Sequence, residues 1–193
     1  AKKLILSGNM QISKNPEQFL SNNWPNYFLK TKGCNVRDLD GNKVHDLSLM
    51  GVGTNILGYS NKNVDNAVKK VVKDGNMSTL NCKEEVILAE RLIEMHPWAK
   101  MVKFARTGGE ANSIAIRIAR AASGRDNVAF CGYHGWHDWY LATNIKDKKN
   151  LNEHLLNGIS TLGVPNNLSG SIYPFKYNDF KQLENLIKKK KIG

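Results

Sequence analysis

The sequence has few cysteines and no long apolar run. Its 193 residues contain three cysteines, Cys34, Cys82 and Cys131, with no C-x-x-C pair. This odd, widely spaced set predicts reduced thiols rather than a disulfide framework or a zinc site. No apolar run approaches the roughly 20 residues of a membrane-spanning helix, and the apolar stretch in "AKKLILSGNM" is too short for a signal peptide. We therefore expect a cytoplasmic protein without a membrane segment.

Acidic residues are also scarce, and the chain is strongly basic. It has 28 Lys and Arg against 17 Asp and Glu, a formal net charge of +11. Much of the excess lies in two lysine clusters, at 146–149 and 188–191. The second cluster closes a helix-like stretch, where cations stabilise the negative end of the helix dipole. Neither cluster interleaves lysine with arginine or aromatic residues, which disfavours nucleic acid as a partner and leaves an acidic partner open.

The first half of the chain contains signals for a hairpin and two helices. Asp40-Gly41 between two short extended runs predicts a β-hairpin. The valines of "NVDNAVKKVVKDG" recur at helical spacing, and Gly75 is the predicted stop. In the next helix Asn81 is the predicted N-cap, with Glu84 three residues on, and Pro97 is the predicted end.

The segment "MVKFARTGGEANSIAIRIARAASG" predicts a strand, a turn and a helix. The strand covers 101–105, and the helix runs from about Glu110 to Ala122, with Gly124 as its cap. A second strand follows in "DNVAFCG". Strand, helix and strand in succession predict a right-handed crossover and an α/β fold with a parallel sheet. The loops 106–109 and 132–140 then leave the same edge of that sheet, where ligands bind.

The turn Thr107-Gly108-Gly109 precedes the predicted helix and is a candidate anion site. The first N–H groups of a helix lack partners and the local dipole is positive, so a phosphate is favoured there. Glycines let the backbone approach an anion, and the threonine hydroxyl adds a hydrogen bond. A plain strand-to-helix turn is the alternative. Neither G-x-G-x-x-G nor G-K-[S/T] occurs, so a nucleotide is not the expected anion.

The loop "YHGWHD" concentrates aromatic rings beside two imidazoles. A planar ring could stack on Tyr133 or His134, and packing against neighbours is the alternative. His134, His137 and Asp138 are possible metal ligands, but no further ligand or fixed spacing accompanies them, so we predict no metal site. No nucleophile motif such as G-x-S-x-G is present.

Taken together, these motifs resemble the class III aminotransferases, pyridoxal-phosphate enzymes of fold type I, in the branch of glutamate-1-semialdehyde aminomutase. "FARTGGEANSIAIRIARAASGRD" followed by "FCGYHGWHD" carries the resemblance, with "DLDGNKVHDLSLMGVGTNILGYSNKNV" upstream. In that branch the turn reads Asn-Ser-Gly-Thr-Glu-Ala and the loop Tyr-His-Gly. The resemblance implies an α/β fold: an N-terminal segment with a β-hairpin over 1–55, then an incomplete large domain with a mainly parallel sheet over 56–193.

The resemblance also implies a cofactor site for pyridoxal 5'-phosphate. Thr107, Gly108 and Gly109 match the positions that hold the cofactor phosphate. Tyr133 matches the aromatic residue stacked on the pyridine ring, with His134 beside it. The family's threonine is Gly109 here, which removes a hydroxyl and keeps the backbone donor.

The activity implied is transfer of an amino group between an amino compound and an oxo acid or aldehyde, by a homodimer. Val52 and Gly53 lie in the loop expected to contact substrate. Val52 stands where the aminomutase has tryptophan, which favours an aminotransferase with another substrate and keeps glutamate-1-semialdehyde 2,1-aminomutase as the alternative. The Schiff-base lysine and the aspartate on the ring nitrogen are expected beyond Gly193, so no catalytic residue is predicted within this chain. A non-catalytic truncated fragment that binds an acidic partner is the second alternative.

Overall fold

The architecture comes from a computed structural model, which describes residues 1–19, 24–48, 50–151 and 160–193. The chain divides into two compact units, 1–87 and 88–193. In chain order the strands are β1 (Phe28–Lys32), β2 (Asn35–Asp38), β3 (Lys43–His45), β4 (Val128–Phe130) and β5 (Ile172–Pro174). The α-helices are α1 (Lys62–Asp74), α2 (Lys83–Met95), α3 (Gly108–Ser123), α4 (Asp138–Leu141) and α5 (Phe180–Lys190). In the part of the chain that the structure describes, no helix has both the length and the apolar character that a bilayer crossing requires.

The first unit contains an antiparallel sheet in the order β1-β2-β3. Val36 of β2 lies opposite Thr31 on one side and Val44 on the other. At the β2–β3 turn, the Asp38 carboxylate accepts hydrogen bonds from the Asn42 backbone N–H at 2.8 Å and from its side-chain amide at 2.9 Å. The hairpin predicted from Asp40-Gly41 is therefore confirmed.

Helix α1 follows its predicted signals, whereas α2 ends as predicted before Pro97 but begins later than predicted. The Asn61 side-chain oxygen accepts hydrogen bonds from the first N–H groups of α1, and Gly75 ends the helix with a φ of 103°. Helix α2 begins at Lys83, and the Cys82 carbonyl oxygen accepts from the Glu85 N–H at 3.4 Å. Asn81 as the N-cap of α2 was therefore wrong, because the first turn closes on the next residue.

The second unit contains the parallel sheet, but not where the first strand was predicted. Val128 and Phe130 of β4 pair in parallel with Ile172 and Pro174 of β5, which confirms the parallel sheet. Residues 101–105 form no strand, so that prediction was wrong. Their apolar sequence suits a strand, but an extended segment becomes one only by pairing its N–H and C=O groups. Among the described residues none pairs with this segment.

The core of the second unit lies where β4 and β5 meet the segment that follows residue 137. Tyr140 and Leu151 are fully buried there, and Phe130 contacts the Tyr140 ring edge-on at 5.1 Å between centroids. The other buried apolar side chains of this cluster are Val128, Leu141 and Ile172. Burial of this cluster removes apolar surface from water and fixes the chain that leads out of the loop.

A hydrogen bond between Tyr59 and Asp46 tests the packing of the first unit. The Tyr59 hydroxyl donates to Asp46 at 2.6 Å, and the same carboxylate accepts from the Ser48 N–H at 3.0 Å. Tyr59→Phe should lower the free energy of unfolding by about 1 kcal/mol, since one side-chain hydrogen bond is lost. Denaturant unfolding measures this, with the exposed Tyr177→Phe as the unchanged control.

The same hydrogen bond makes the free energy of unfolding depend on pH in the acidic range. Hydrogen bonding from Tyr59 lowers the pKa of Asp46 from its ordinary value of 3.8, more than burial raises it. A lowered native pKa contributes stability above the ordinary value, and this is lost as the pH falls through the native pKa. Tyr59→Phe should therefore lose less stability than the natural protein on acidification below pH 3.8. Equal acid losses would contradict the assignment.

Candidate functional site

The candidate site begins at the N-terminus of α3, where Thr107 caps the helix. The Thr107 side-chain oxygen accepts from the Glu110 N–H at 3.2 Å, and the Glu110 carboxylate accepts from the Arg106 N–H at 2.9 Å. This T-x-x-E arrangement explains why α3 starts at Gly108, two residues before the predicted start. Within the described part of the chain, the N–H groups of Thr107, Gly108 and Gly109 have no acceptor.

These three N–H groups make the start of α3 suitable for an anion. The positive end of a 16-residue helix adds to their attraction for negative charge. The Thr107 oxygen serves as an acceptor in the cap, so its hydrogen is available to donate. Gly108 has open space where a side chain would stand.

The aromatic loop, residues 131–137, packs against this helix start. A Cβ added to Gly135 would lie 3.8 Å from the Gly109 Cα, and the loop turns there with a φ of 105°. His137 Nδ1 lies 2.8 Å from the Ser113 hydroxyl oxygen, which lies 2.9 Å from the Gly109 carbonyl oxygen. The two motifs singled out in the sequence are thus brought together.

Tyr133 and His134 occupy different environments within the loop. His134 Nε2 lies 2.8 Å from the Cys131 carbonyl oxygen, and its ring packs edge-on against Phe130. Tyr133 is 51% exposed, and its ring lies nearly perpendicular to that of Tyr140, with 6.1 Å between the ring centroids. A planar ligand therefore has access to Tyr133, whereas His134 is engaged in holding the loop.

The predicted substrate residues Val52 and Gly53 lie in the first unit, in a turn of left-handed conformations. Their φ angles are 61° and 79°, and Val52 is 46% exposed. The Thr54 hydroxyl donates to the Gly51 carbonyl oxygen at 2.8 Å and closes the turn. A β-branched residue at positive φ is unfavourable and is held by its surroundings. The substrate role of these residues stays a prediction.

Sequence reasoning missed Ser113 and the use of His137. Ser113 lies one turn after Gly109, and its position in the sequence indicates only an ordinary helix residue. His137 is considered in the sequence only as a possible metal ligand. Both line an open cavity of about 790 Å³ beside α3, which also carries the side chains of Lys103, Arg106 and Arg117. Among the described residues, no group of three His, Cys, Asp or Glu is placed to hold a metal ion.

The Thr107 cap can be tested by two substitutions. Thr107→Ala should lower the free energy of unfolding by about 1 kcal/mol, because the Glu110 N–H loses its acceptor. Thr107→Ser keeps the hydroxyl and should restore most of that loss. Thermal or denaturant unfolding gives both values, and equal stability of the two variants would show that the hydroxyl does not cap α3.

Comparison with known proteins decides the family. The family model for Aminotransferase class-III matches residues 20–191. The chain belongs to the class-III aminotransferase family. This confirms the family predicted from the turn and the aromatic loop.

The class-III aminotransferase chain resembles relatives along nearly its whole length. It is 33% identical over 192 residues to the 3-aminobutyryl-CoA aminotransferase of Cloacimonas acidaminovorans, covering 99% of this chain and 42% of the relative. It is 33% identical over 168 residues to the glutamate-1-semialdehyde 2,1-aminomutase of Methanobrevibacter smithii, covering 86% of this chain and 38% of the relative.

A solved structure of a transaminase with PLP bound matches with a TM-score of 0.79, at 26% identity, covering 97% of this chain and 42% of that one. This confirms the predicted α/β architecture of fold type I. The class-III aminotransferase chain thus spans 38 to 42% of the length of these proteins.

Proposed function

We propose that this chain anchors pyridoxal 5'-phosphate in an aminotransferase that moves an amino group between an amino compound and an oxo acid or aldehyde. The observation that carries the proposal is the start of α3, where three adjacent N–H groups lack acceptors within the described residues. A phosphate group fits this donor set, because it offers several acceptor oxygens and a negative charge. The transaminase with PLP bound has the same fold, which supports the cofactor.

Different residues of the chain contact the phosphate and the ring of the cofactor in this proposal. Thr107, Gly108 and Gly109 hold the phosphate through backbone N–H groups and one hydroxyl. Tyr133, which is half-exposed, stacks on the cofactor ring, and His134 keeps the loop in place through the Cys131 carbonyl oxygen. Bound pyridoxal phosphate supplies a carbonyl group that takes up the amino group and a ring that withdraws electrons.

Spectroscopic titration of the purified natural protein with pyridoxal phosphate tests the anchoring role. We expect saturable binding, with pyridoxal, which lacks the phosphate, at least about tenfold weaker because charge-assisted hydrogen bonds are lost. Tyr133→Ala should weaken both ligands, and Tyr133→Phe, which keeps the ring, should bind nearly as the natural protein does. Absence of pyridoxal phosphate binding would overturn the proposal.

The proposed activity also needs two residues that this chain does not supply. The lysine that binds the cofactor covalently and the aspartate at its ring nitrogen come from sequence outside residues 1–193, in a cytoplasmic homodimer. In this arrangement 1–55 form the N-terminal segment and 56–193 the first part of the large domain. Borohydride reduction of the loaded protein, followed by peptide mass analysis, should label one lysine outside residues 1–193. Light scattering measures the dimer.

A second candidate function is that of glutamate-1-semialdehyde 2,1-aminomutase, since one such enzyme is 33% identical over 168 residues. Amino donors paired with oxo acids, and glutamate-1-semialdehyde alone, distinguish the two reactions. Turnover of glutamate-1-semialdehyde without a second substrate would favour the aminomutase. Val52 and Gly53 are the proposed substrate contacts, so Val52→Ala should change KM for the preferred substrate and leave pyridoxal phosphate affinity unchanged.

A further inference from the structure

The His137 ring stands where a side chain of residue 109 would be. A Cβ built on Gly109 would lie 2.6 Å from His137 Nε2 and 3.0 Å from the ring carbon beside it. Real Cβ atoms essentially never approach another atom so closely. A side chain at position 109 would therefore require the His137 ring to shift, whereas the equivalent space at Gly108 is open.

Ser113 and Trp139 fix the orientation of this ring. The Trp139 indole N–H donates to the Ser113 hydroxyl oxygen at 3.2 Å, and that oxygen lies 2.8 Å from His137 Nδ1. Because Nδ1 is held on Ser113, the opposite nitrogen, Nε2, is directed to the Gly109 side of the ring. Within the described residues Nε2 has no hydrogen-bond partner.

The proton of the Ser113 hydroxyl decides what Nε2 can do. The Ser113 hydroxyl has one proton to donate, and two acceptors are within reach: the Gly109 carbonyl oxygen at 2.9 Å and His137 Nδ1 at 2.8 Å. If the hydroxyl donates to Nδ1, a neutral ring carries its own proton on Nε2. Nε2–H is then a donor beside the free N–H of Gly109.

We propose that His137 is a phosphate ligand of the cofactor site, with Nε2–H donating to the anion held at the start of α3 and with Ser113 as the positioning residue. This inference rests on the proposed function, because it assigns a further contact to the same phosphate. The imidazole occupies the space of a side chain at position 109 and supplies the donor that glycine lacks. A threonine at position 109, as in the aminomutase branch, would push the His137 ring out of this position.

Two amide variants separate a ligand role from a packing role. In His137→Asn the amide reaches the position of Nδ1 and keeps the Ser113 contact, and in His137→Gln it reaches the position of Nε2. We expect His137→Asn to weaken pyridoxal phosphate binding about tenfold and His137→Gln to restore most of that loss. Affinity for pyridoxal should stay unchanged in both variants. If His137→Asn binds as the natural protein and His137→Gln does not, the ring only packs against Ser113, and the proposal is wrong.

An exchange of side chains tests the spatial claim. Gly109→Thr alone should weaken pyridoxal phosphate binding at least about tenfold, because the new side chain displaces the ring. Gly109→Thr combined with His137→Ala should recover affinity to within about threefold of the natural protein. The alanine makes room for the threonine, and the threonine hydroxyl replaces the imidazole as donor. Additive losses in the double variant would overturn the proposal. Melting temperatures of all variants identify any that fail to fold, and the amide pair then decides.

The two proposals fail in different ways. If the natural protein binds no pyridoxal phosphate, the proposed function fails and this inference falls with it. If the natural protein binds the cofactor and none of the variants at 109 and 137 changes the affinity, the proposed function stands and His137 is not a ligand. Competition by inorganic phosphate, weaker in His137→Asn than in the natural protein, supports the contact without any cofactor ring.

Discussion

Replacing Tyr140 by alanine should lower the free energy of unfolding by about 3–5 kcal/mol, the cost of deleting a fully buried aromatic ring. The ring contacts Phe130 of β4 from one side and Tyr133 and His134 of the aromatic loop from others. Its loss opens a cavity beneath the loop, so we also expect weaker pyridoxal phosphate binding. Denaturant unfolding and cofactor titration measure the two effects.

Tyr140→Phe is the matched control, because it keeps the ring and removes only the hydroxyl. That hydroxyl lies 3.4 Å from the Gly132 carbonyl oxygen and also bonds with the His134 backbone, so we expect a loss of about 1 kcal/mol, well below that of the alanine variant. Burial raises the pKa of Tyr140 from 10.0 to about 12. A raised native pKa means that stability present below pH 10.0 is lost as the pH rises toward about 12. In Tyr140→Phe, the loss of stability between pH 10.0 and about 12 should therefore be smaller than in the natural protein. If stability depends on pH in the same way in both proteins, Tyr140 is not the group responsible.

Replacing Leu151 by alanine should cost about 2–5 kcal/mol of unfolding free energy. Leu151 is also fully buried, and its N–H donates to the Asn144 side-chain oxygen at 2.9 Å. The backbone bond survives the substitution, so the loss measures the side chain and the cavity it leaves. Denaturant unfolding of the variant gives the value.

Leu162→Ala provides the comparison for Leu151. Leu162 is 91% exposed, so the same chemical change there should alter stability by less than about 0.5 kcal/mol. A loss at Leu151 as small as the one expected at Leu162 would mean that the cluster around β4 and β5 does not stabilise the protein. A large difference would locate the stabilising burial in that cluster.

Local signals predicted α1, α3 and the hairpin because each depends on neighbouring residues. Asn61 and Thr107 cap helices through N–H groups two or three residues on, and Gly124 ends α3 in the left-handed conformation. The proximity of the Thr107–Gly109 turn and the aromatic loop was also predictable, because the family resemblance assigns both to one cofactor site. In the helices and the hairpin, the interaction that decides the structure lies within a few residues of the sequence.

Features that depend on distant partners were not predictable in this way. The segment 101–105 has the composition of a strand, but pairing decides whether a strand forms. The use of Ser113 by His137 joins residues 24 positions apart, and nothing in the spacing of either residue indicates it. The apolar stripe of α1 identified a helix face without indicating its exposure, although Val68 is 55% exposed.

The close approach of His137 to Gly109 has a consequence for the history of this family. Positions 109 and 137, 28 apart in sequence, compete for one volume, so a side chain at 109 requires the ring at 137 to shift. A side chain gained at 109 is accommodated most easily when the ring at 137 is also replaced by a smaller residue. Among relatives of this chain, substitutions at the two positions should therefore occur together, as a correlated pair that links the turn to the aromatic loop.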